Sequence, residues 1–234
     1  MNDSHTKNFR RRFIAVVGSV VALVSLVSMA APVAVSGVAA QKVVGQNPSA
    51  VIIPDIDPLA FAANQALEQL RDDLVRFDGS AEITHSFIRL RRATAEQVAD
   101  RLDLDPDELE AAWADSDINH QTALLAALTQ VGTPYKRFTM KPGIGFDCSG
   151  LTSFAWSQAG FSIPRNSTQQ IRAADPRTPD TAQAGDLLRY PGHVMMWLGV
   201  GQAVIHSPRP RQFVEVKILA PRSMKRSTFG DPTE

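Results

Sequence analysis

The sequence of 234 residues contains a single cysteine, Cys148. One thiol excludes a disulfide within this sequence, and it also excludes a cysteine-rich metal site. The charges of the chain balance, since there are 24 basic and 24 acidic residues, and this argues against a nucleic-acid partner. A lone cysteine is either a small buried apolar residue or a reactive thiol, so the residues around Cys148 must decide its role.

Charged residues are also missing from a long stretch near the start of the chain. Residues 13–40 carry no charge and follow a basic cluster that ends at Arg12, and small residues at 28–30 and 38–40 fit cleavage sites. We therefore predict that residues 1–40 are a signal peptide and that the protein is exported, to the cell envelope or beyond. The uncharged run exceeds the ~20 residues that span a bilayer, so an uncleaved membrane anchor through residues 13–40 stays open.

Composition divides the rest of the chain. Proline and small polar residues in 41–57 predict a linker, and the basic and polar residues 221–234 predict a loose tail. Residues 58–117 combine helix-start signals at Asp57-Pro58 and Asp105-Pro106 with apolar residues at helical spacing, which predicts a small helical region. Its role stays open between substrate docking, covering of a cleft and a passive spacer.

Residues 118–220 change in character at Gly185. Before it, apolar residues recur at helical spacing, and after it short apolar or alternating runs predict strands. The predicted strands are 187–188, 194–198, 203–205 and 213–216. Helices followed by an antiparallel sheet predict an α+β domain, preceded by the small helical region.

Cys148 is predicted to lie in the first turn of a helix. Apolar residues recur behind it at 151, 154, 155 and 159, along one face of a helix, and Asp147 fits the N-cap. Unpaired backbone N–H groups at a helix N-terminus favour a negative charge, which makes a thiolate nucleophile more accessible. A buried structural thiol is the alternative that this position alone leaves open.

A thiol nucleophile needs a base, and two histidines lie on neighbouring predicted strands. His193 and His206 flank a hairpin loop at 199–202. A four-residue loop pairs residues whose numbers sum to 401, so His206 faces Met195 and points the same way as His193. The sequence thus permits a nucleophile, a base and a residue that orients the base.

Zinc binding is the competing use of these side chains. Cys148, His193 and His206 offer three ligands, but their spacing lacks the close ligand pair of most zinc sites. We therefore expect no metal and no cofactor. His85 and His120 fall in predicted helices, and nothing in the sequence directs them toward Cys148.

Six short motifs follow one another in residues 118–220. They are Gly132-Thr133-Pro134-Tyr135, Phe146-Asp147-Cys148-Ser149-Gly150-Leu151, Ile163-Pro164-Arg165 with Gln170, Gly185-Asp186-Leu187, Gly192-His193-Val194 and Ile205-His206. Together they resemble the NlpC family of cell-wall cysteine peptidases, and the motif around Cys148 is the most specific of them. The chain departs from the family at residues 136–140, which replace its Trp-Gly-Gly stretch, so the loop that lines the cleft differs here.

The resemblance implies a papain-like fold and hydrolysis of peptidoglycan stem peptides, at the bond between D-γ-glutamate and the diamino acid. It implies that Cys148 attacks the amide, that His193 is the base and that His206 orients His193. It further implies oxyanion or positioning roles for Tyr135 and Ser149, and substrate contacts by Arg165, Asp147 and Gln170.

Two other functions stay open on the sequence. An amidase or acyltransferase would use the same Cys–His pair and the same acyl-enzyme with a different bond or acceptor. A non-catalytic cell-wall-binding or regulatory module would keep the fold without the chemistry, although such a module has no need of all three residues. The sequence sets neither the exact scissile bond nor the oligomeric state.

Overall fold

A computed structural model of the chain describes residues 56–76 and 83–233. The predicted signal peptide or anchor at 1–40 and nearly all of the predicted linker at 41–57 lie outside the described residues. Among the residues that are described, no helix combines the length and the apolar character needed to span a bilayer.

Four helices form the first part of the described chain. They are α1 (Pro58–Arg76), α2 (His85–Leu102), α3 (Pro106–Asp115) and α4 (Ile118–Leu128). Each begins after a residue whose side-chain oxygen accepts a hydrogen bond from a backbone N–H of the first turn, as an N-cap does. These capping residues are Asp57, Thr84, Asp105 and Asp117. The helical region predicted at 58–117 is thus formed by α1, α2 and α3.

Strands dominate the second part and confirm the α+β prediction. A two-stranded hairpin, β1 (Met140–Lys141) and β2 (Gly145–Phe146), precedes helices α5 (Cys148–Gln158) and α6 (Ser167–Ala173). An antiparallel sheet follows with the order β3-β8-β4-β5-β6-β7. Its strands are β3 (Asp175–Arg177), β4 (Leu187–Tyr190), β5 (His193–Trp197), β6 (Ala203–His206), β7 (Glu215–Ile218) and β8 (Thr228–Asp231), with the short helix α7 (Pro221–Met224) before β8.

One apolar core runs from the first helices into the sheet. Leu59 of α1 and Trp113 of α3 belong to the same buried cluster as Trp156 of α5 and Met196 of β5. Helices α4 and α5 pack on each other, and α5 also packs against β5. The helical region therefore shares its core with the sheet that carries the two histidines.

The end of the chain is not a loose tail. Residues 228–231 form β8, which pairs with both β3 and β4 inside the sheet. Phe229 is 7% exposed and its ring lies 5.3 Å from that of Trp197. Four residues are too few for a clear alternating pattern, so the strand is visible only through its partners.

Candidate active site

Cys148 is the first residue of α5, as predicted. Asp147 takes the N-cap position, and its Oδ1 accepts a hydrogen bond of 2.7 Å from the backbone N–H of Gly150. The thiol is partly exposed, whereas Asp147 is buried. The nucleophile candidate therefore lies at the N-terminus of an eleven-residue helix, where free backbone N–H groups favour developing negative charge.

The loop before β1 lies directly on the first turn of α5. The backbone N–H of Asp147 donates to the carbonyl of Thr139 at 3.1 Å, and a Cβ at position 150 would approach that same carbonyl to 2.2 Å. Only glycine fits at Gly150, because any side chain would collide with backbone rather than with a movable side chain. This close approach fixes the loop that replaces the Trp-Gly-Gly stretch beside the nucleophile.

His193 and His206 lie together as the hairpin register predicts. Met196 pairs with Ile205 and Trp197 with Val204, both summing to 401, and Nε2 of His193 lies 2.8 Å from Nδ1 of His206. Both rings are buried in the sheet.

Burial keeps both imidazoles neutral. It lowers the pKa of His193 to about 3, with a further contribution from neighbouring His206. It lowers the pKa of His206 to about 4, and the nearby charge of Lys217 acts in the same direction. A neutral imidazole keeps one lone pair, which is the feature that a proton acceptor for the thiol requires.

Glu215 completes a chain of polar groups that the sequence did not reveal. It pairs with His206 across β6 and β7, and its Oε1 lies 3.3 Å from Nε2 of His206. The loop between these strands is eight residues long, so the register of β7 cannot be inferred from a hairpin rule.

Both tyrosines of the chain lie close to the nucleophile. Burial raises the pKa of Tyr135 and of Tyr190, and in each case the charge of a Cys148 thiolate raises it further. The ring of Tyr190 also lies 5.4 Å from that of His193, its partner across β4 and β5. Tyr190 therefore connects the N-terminus of α5 with the start of β5, and it is a second site residue that sequence reasoning missed.

Arg165 joins the nucleophile segment to a cavity. Its guanidinium bonds Asp147 at 2.8 Å and the hydroxyl of Ser149 at 2.9 Å, yet 41% of its side chain stays exposed. The cavity has a volume of about 300 Å³. It is lined by Phe138, Asp147, Ser149, Arg165, Asn166 and Gln169. Arg165 thus forms a two-bond ion pair with Asp147 at the wall of this cavity, and its remaining exposed surface faces the cavity next to the residues that flank Cys148.

Gln170 does not fit its predicted substrate contact. It is 1% exposed, and its amide nitrogen donates to the carbonyl of Ser149 and the hydroxyl of Ser153. Its oxygen accepts from Thr152 at 2.8 Å. With donor and acceptor both used inside the protein, Gln170 holds α6 against α5 and has no group left for a ligand.

Comparison with known proteins places most of this site in one family. The model of the NlpC/P60 family matches residues 132–231. This segment belongs to the NlpC/P60 family. It includes Cys148, His193 and His206, and it ends at residue 231 rather than at the predicted residue 220, because β8 is part of the sheet.

Curated relatives in this family are named as peptidases. A probable endopeptidase of Corynebacterium glutamicum strain R is 41% identical over 107 residues, which cover 44% of this chain and 50% of that protein. A γ-D-glutamyl-L-lysine dipeptidyl-peptidase of Bacillus cereus is 36% identical over 94 residues, covering 37% and 28%. The crystal structure of an NlpC/P60 family protein from Bacillus cereus is 29% identical, covers 48% of this chain and 39% of that one, and has a TM-score of 0.44. This chain spans half or less of the length of these relatives.

A buried cluster of charged side chains joins α4 to the sheet of the NlpC/P60 segment, with His120 of α4 at its centre. His120 is fully buried, and its ring nitrogens lie 2.5 Å from Asp117 and 3.0 Å from Asp186. Burial opposes the charge, but the hydrogen bonds to the two aspartates outweigh it and raise the pKa of His120 to about 9. His120 is instead directed toward carboxylates, one at the N-cap of its own helix, Asp117, and one 66 positions away, Asp186.

His120, Asp186 and Asp231 lie close enough to hold a cation between them. Protonated His120 has no lone pair to offer a metal, and it already supplies the positive charge that these carboxylates need. The cluster therefore links α4, the turn before β4 and β8 through charge within the protein.

Proposed function

We propose that this protein is an exported peptidoglycan endopeptidase that hydrolyses stem-peptide amide bonds by nucleophilic catalysis. The observation that carries the proposal is the hydrogen-bonded, neutral pair of His193 and His206 on the strands beside the helix that begins at Cys148. A wall-binding module has no need of two buried imidazoles in this arrangement, whereas buried titratable pairs with strongly shifted pKa values are typical of active sites. The names of the curated relatives support the same reading.

In the proposed reaction, the sulfur of Cys148 attacks the carbonyl carbon of the scissile amide. His193 takes the thiol proton and then gives it to the departing amine, which leaves a thioester on Cys148. Water, deprotonated by His193, attacks the thioester, and His193 returns the proton to the departing sulfur of Cys148 as the acid is released. The backbone N–H of Cys148 at the start of α5 is oriented to stabilise the oxyanion of each tetrahedral intermediate.

The substrate side of the proposal rests on Arg165. Its guanidinium already makes two parallel hydrogen bonds to Asp147, and the 41% of the side chain that stays exposed at the cavity is the surface we assign to a single charge-assisted contact with a stem-peptide carboxylate. The name of the Bacillus cereus relative supports the γ-D-glutamyl bond as the site of cleavage. The uncharged, basic-flanked segment at 13–40 supports export to the compartment where this substrate lies.

Digestion of purified muropeptides, followed by mass spectrometry, tests this function. We expect new fragments split after D-glutamate with the protein, and none with the Cys148→Ala variant. Acyl transfer would instead yield products heavier than the hydrolysis fragments by the mass of the acceptor amine less one water. Binding of muropeptides without any change in mass by either protein would show a wall-binding module and reject the peptidase.

A further inference from the structure

We propose that Glu215 is a positioning residue, which sets the proton positions on both active-site histidines. The inference rests on the proposed function, since it explains how His193 presents a free lone pair to a nucleophile. Glu215 lies on β7, and among the described residues it neither bonds to Cys148 nor lines the cavity at Arg165.

Three side chains form a line across neighbouring strands. The Oε1 atom of Glu215 on β7 lies 3.3 Å from Nε2 of His206 on β6. The Nδ1 atom of His206 lies 2.8 Å from Nε2 of His193 on β5. Among residues 56–76 and 83–233, every nitrogen in this line except Nδ1 of His193 therefore has a hydrogen-bond partner.

The proton positions follow from the chemistry of the groups. An ionised carboxylate only accepts hydrogen bonds, so Nε2 of His206 carries the proton that it donates to Glu215. A neutral imidazole has one N–H, so Nδ1 of His206 is an acceptor and Nε2 of His193 must be the donor. His193 is then left with an unprotonated Nδ1 as its only lone pair, which makes this nitrogen the base.

Without Glu215 the opposite arrangement satisfies the histidine pair equally well. Nδ1 of His206 would carry the proton and donate it to Nε2 of His193. The proton of neutral His193 would then sit on Nδ1, and this nitrogen could not accept a proton from the thiol. Glu215 favours the first of these two proton arrangements, because its carboxylate can only accept a hydrogen bond from Nε2 of His206.

The surrounding charges fit this role. Burial keeps both histidines neutral, so each has one proton to place. The ammonium of Lys217 lies 3.9 Å from Oε1 of Glu215, on the same strand. Tyr190, on the other side of His193, is a neutral phenol at neutral pH. Among the described residues, Glu215 is the one carboxylate that forms a hydrogen bond with His193 or His206.

Two variants of Glu215 test the proposal. Glu215→Leu removes the acceptor, and Glu215→Gln offers either an acceptor or a donor. We expect Glu215→Leu to lower kcat on a muropeptide about 10- to 100-fold with KM unchanged, less than the ~10⁴-fold of a buried orienting carboxylate because Glu215 is 43% exposed. Glu215→Gln should lie between Glu215→Leu and the wild type. Ile218→Thr, an exposed change on the same strand, is the matched control and should keep kcat within about twofold.

Nitrogen-15 NMR of the imidazoles provides a readout that a structural role would not move. In the resting wild-type protein we expect protonated Nε2 and unprotonated Nδ1 on both histidines, and in Glu215→Leu a mixture of tautomers in a folded protein. A proton on Nδ1 of His206 in the wild type, or an unchanged kcat in Glu215→Leu, would overturn the proposal. The NMR result does not depend on turnover, so an inactive wild-type protein would reject the peptidase function without deciding the role of Glu215.

Discussion

The indole nitrogen of Trp113 donates a 2.8 Å hydrogen bond to the backbone carbonyl of Leu198. Trp113 lies in α3, outside the NlpC/P60 segment, and Leu198 is the first residue after β5, in the connection to β6. The bond is buried and joins residues 85 positions apart. The helical region thus contacts the hairpin that carries His193 and His206, and it contributes to the core beneath it.

We expect Trp113→Phe to destabilise the protein by about 1–3 kcal/mol, because it leaves the buried carbonyl of Leu198 without a donor. Trp113→Ala should cost about 3–5 kcal/mol, since it also opens a cavity. Urea unfolding followed by circular dichroism measures both. The control Phe61→Ala changes an exposed aromatic residue of the same helical region and should stay within about 0.5 kcal/mol. Equal effects at the two positions would show that α3 does not support the sheet.

Acidification should destabilise the protein before its carboxylates titrate. His193 and His206 have pKa values of about 3 and 4 in the folded protein against 6.5 when unfolded. Between pH 6.5 and about 4 the unfolded chain therefore binds more protons, and stability falls as the pH falls. The free energy of unfolding, measured from pH 7 to pH 4, should decrease less in a variant with both histidines changed to glutamine. A parallel decrease in the two proteins would contradict the buried neutral pair.

The same hairpin shows how far sequence reasoning reaches. The length of loop 199–202 fixed the pairing of β5 with β6, and the apolar period behind Cys148 fixed the start of α5, because both depend on neighbouring residues. Glu215 was missed because its strand follows an irregular eight-residue connection. The cluster around His120 was missed because only Asp117 of its two carboxylate partners is local, and the contact with Asp186, 66 positions away, leaves no trace in local patterns.

His120 should have the opposite pH dependence. Its pKa is about 9 in the folded protein against 6.5 when unfolded, so the folded state binds more protons between these values. The stabilisation is present in full below pH 6.5 and is lost as the pH rises through 9. We expect the free energy of unfolding to fall from pH 7 to pH 9.5, and the fall to be smaller in His120→Gln. If the free energy of unfolding of His120→Gln falls between pH 7 and pH 9.5 as steeply as that of the wild type, groups other than His120 cause the loss of stability.

Phe138 combines an exposed ring with a strained backbone at the wall of the cavity. Its φ is +56°, its side chain is 89% exposed, and its N–H donates to Oδ2 of Asp147 at 2.7 Å. A left-handed conformation costs a non-glycine residue roughly 1–2 kcal/mol, and an exposed ring recovers little of this by burial. A strained aromatic residue beside Arg165 and the nucleophile is best explained by contact with substrate.

We therefore expect Phe138→Gly to raise stability by up to about 1 kcal/mol while raising KM for muropeptides several-fold at unchanged kcat, because the ring binds substrate equally before and in the transition state. Phe61→Gly is the control: it removes an exposed phenylalanine from the interior of α1 and should lower stability by about 0.5–1 kcal/mol. Urea unfolding and steady-state kinetics measure the two effects. A less stable Phe138→Gly protein would show that the loop is not strained, and an unchanged KM would place the ring outside the substrate site.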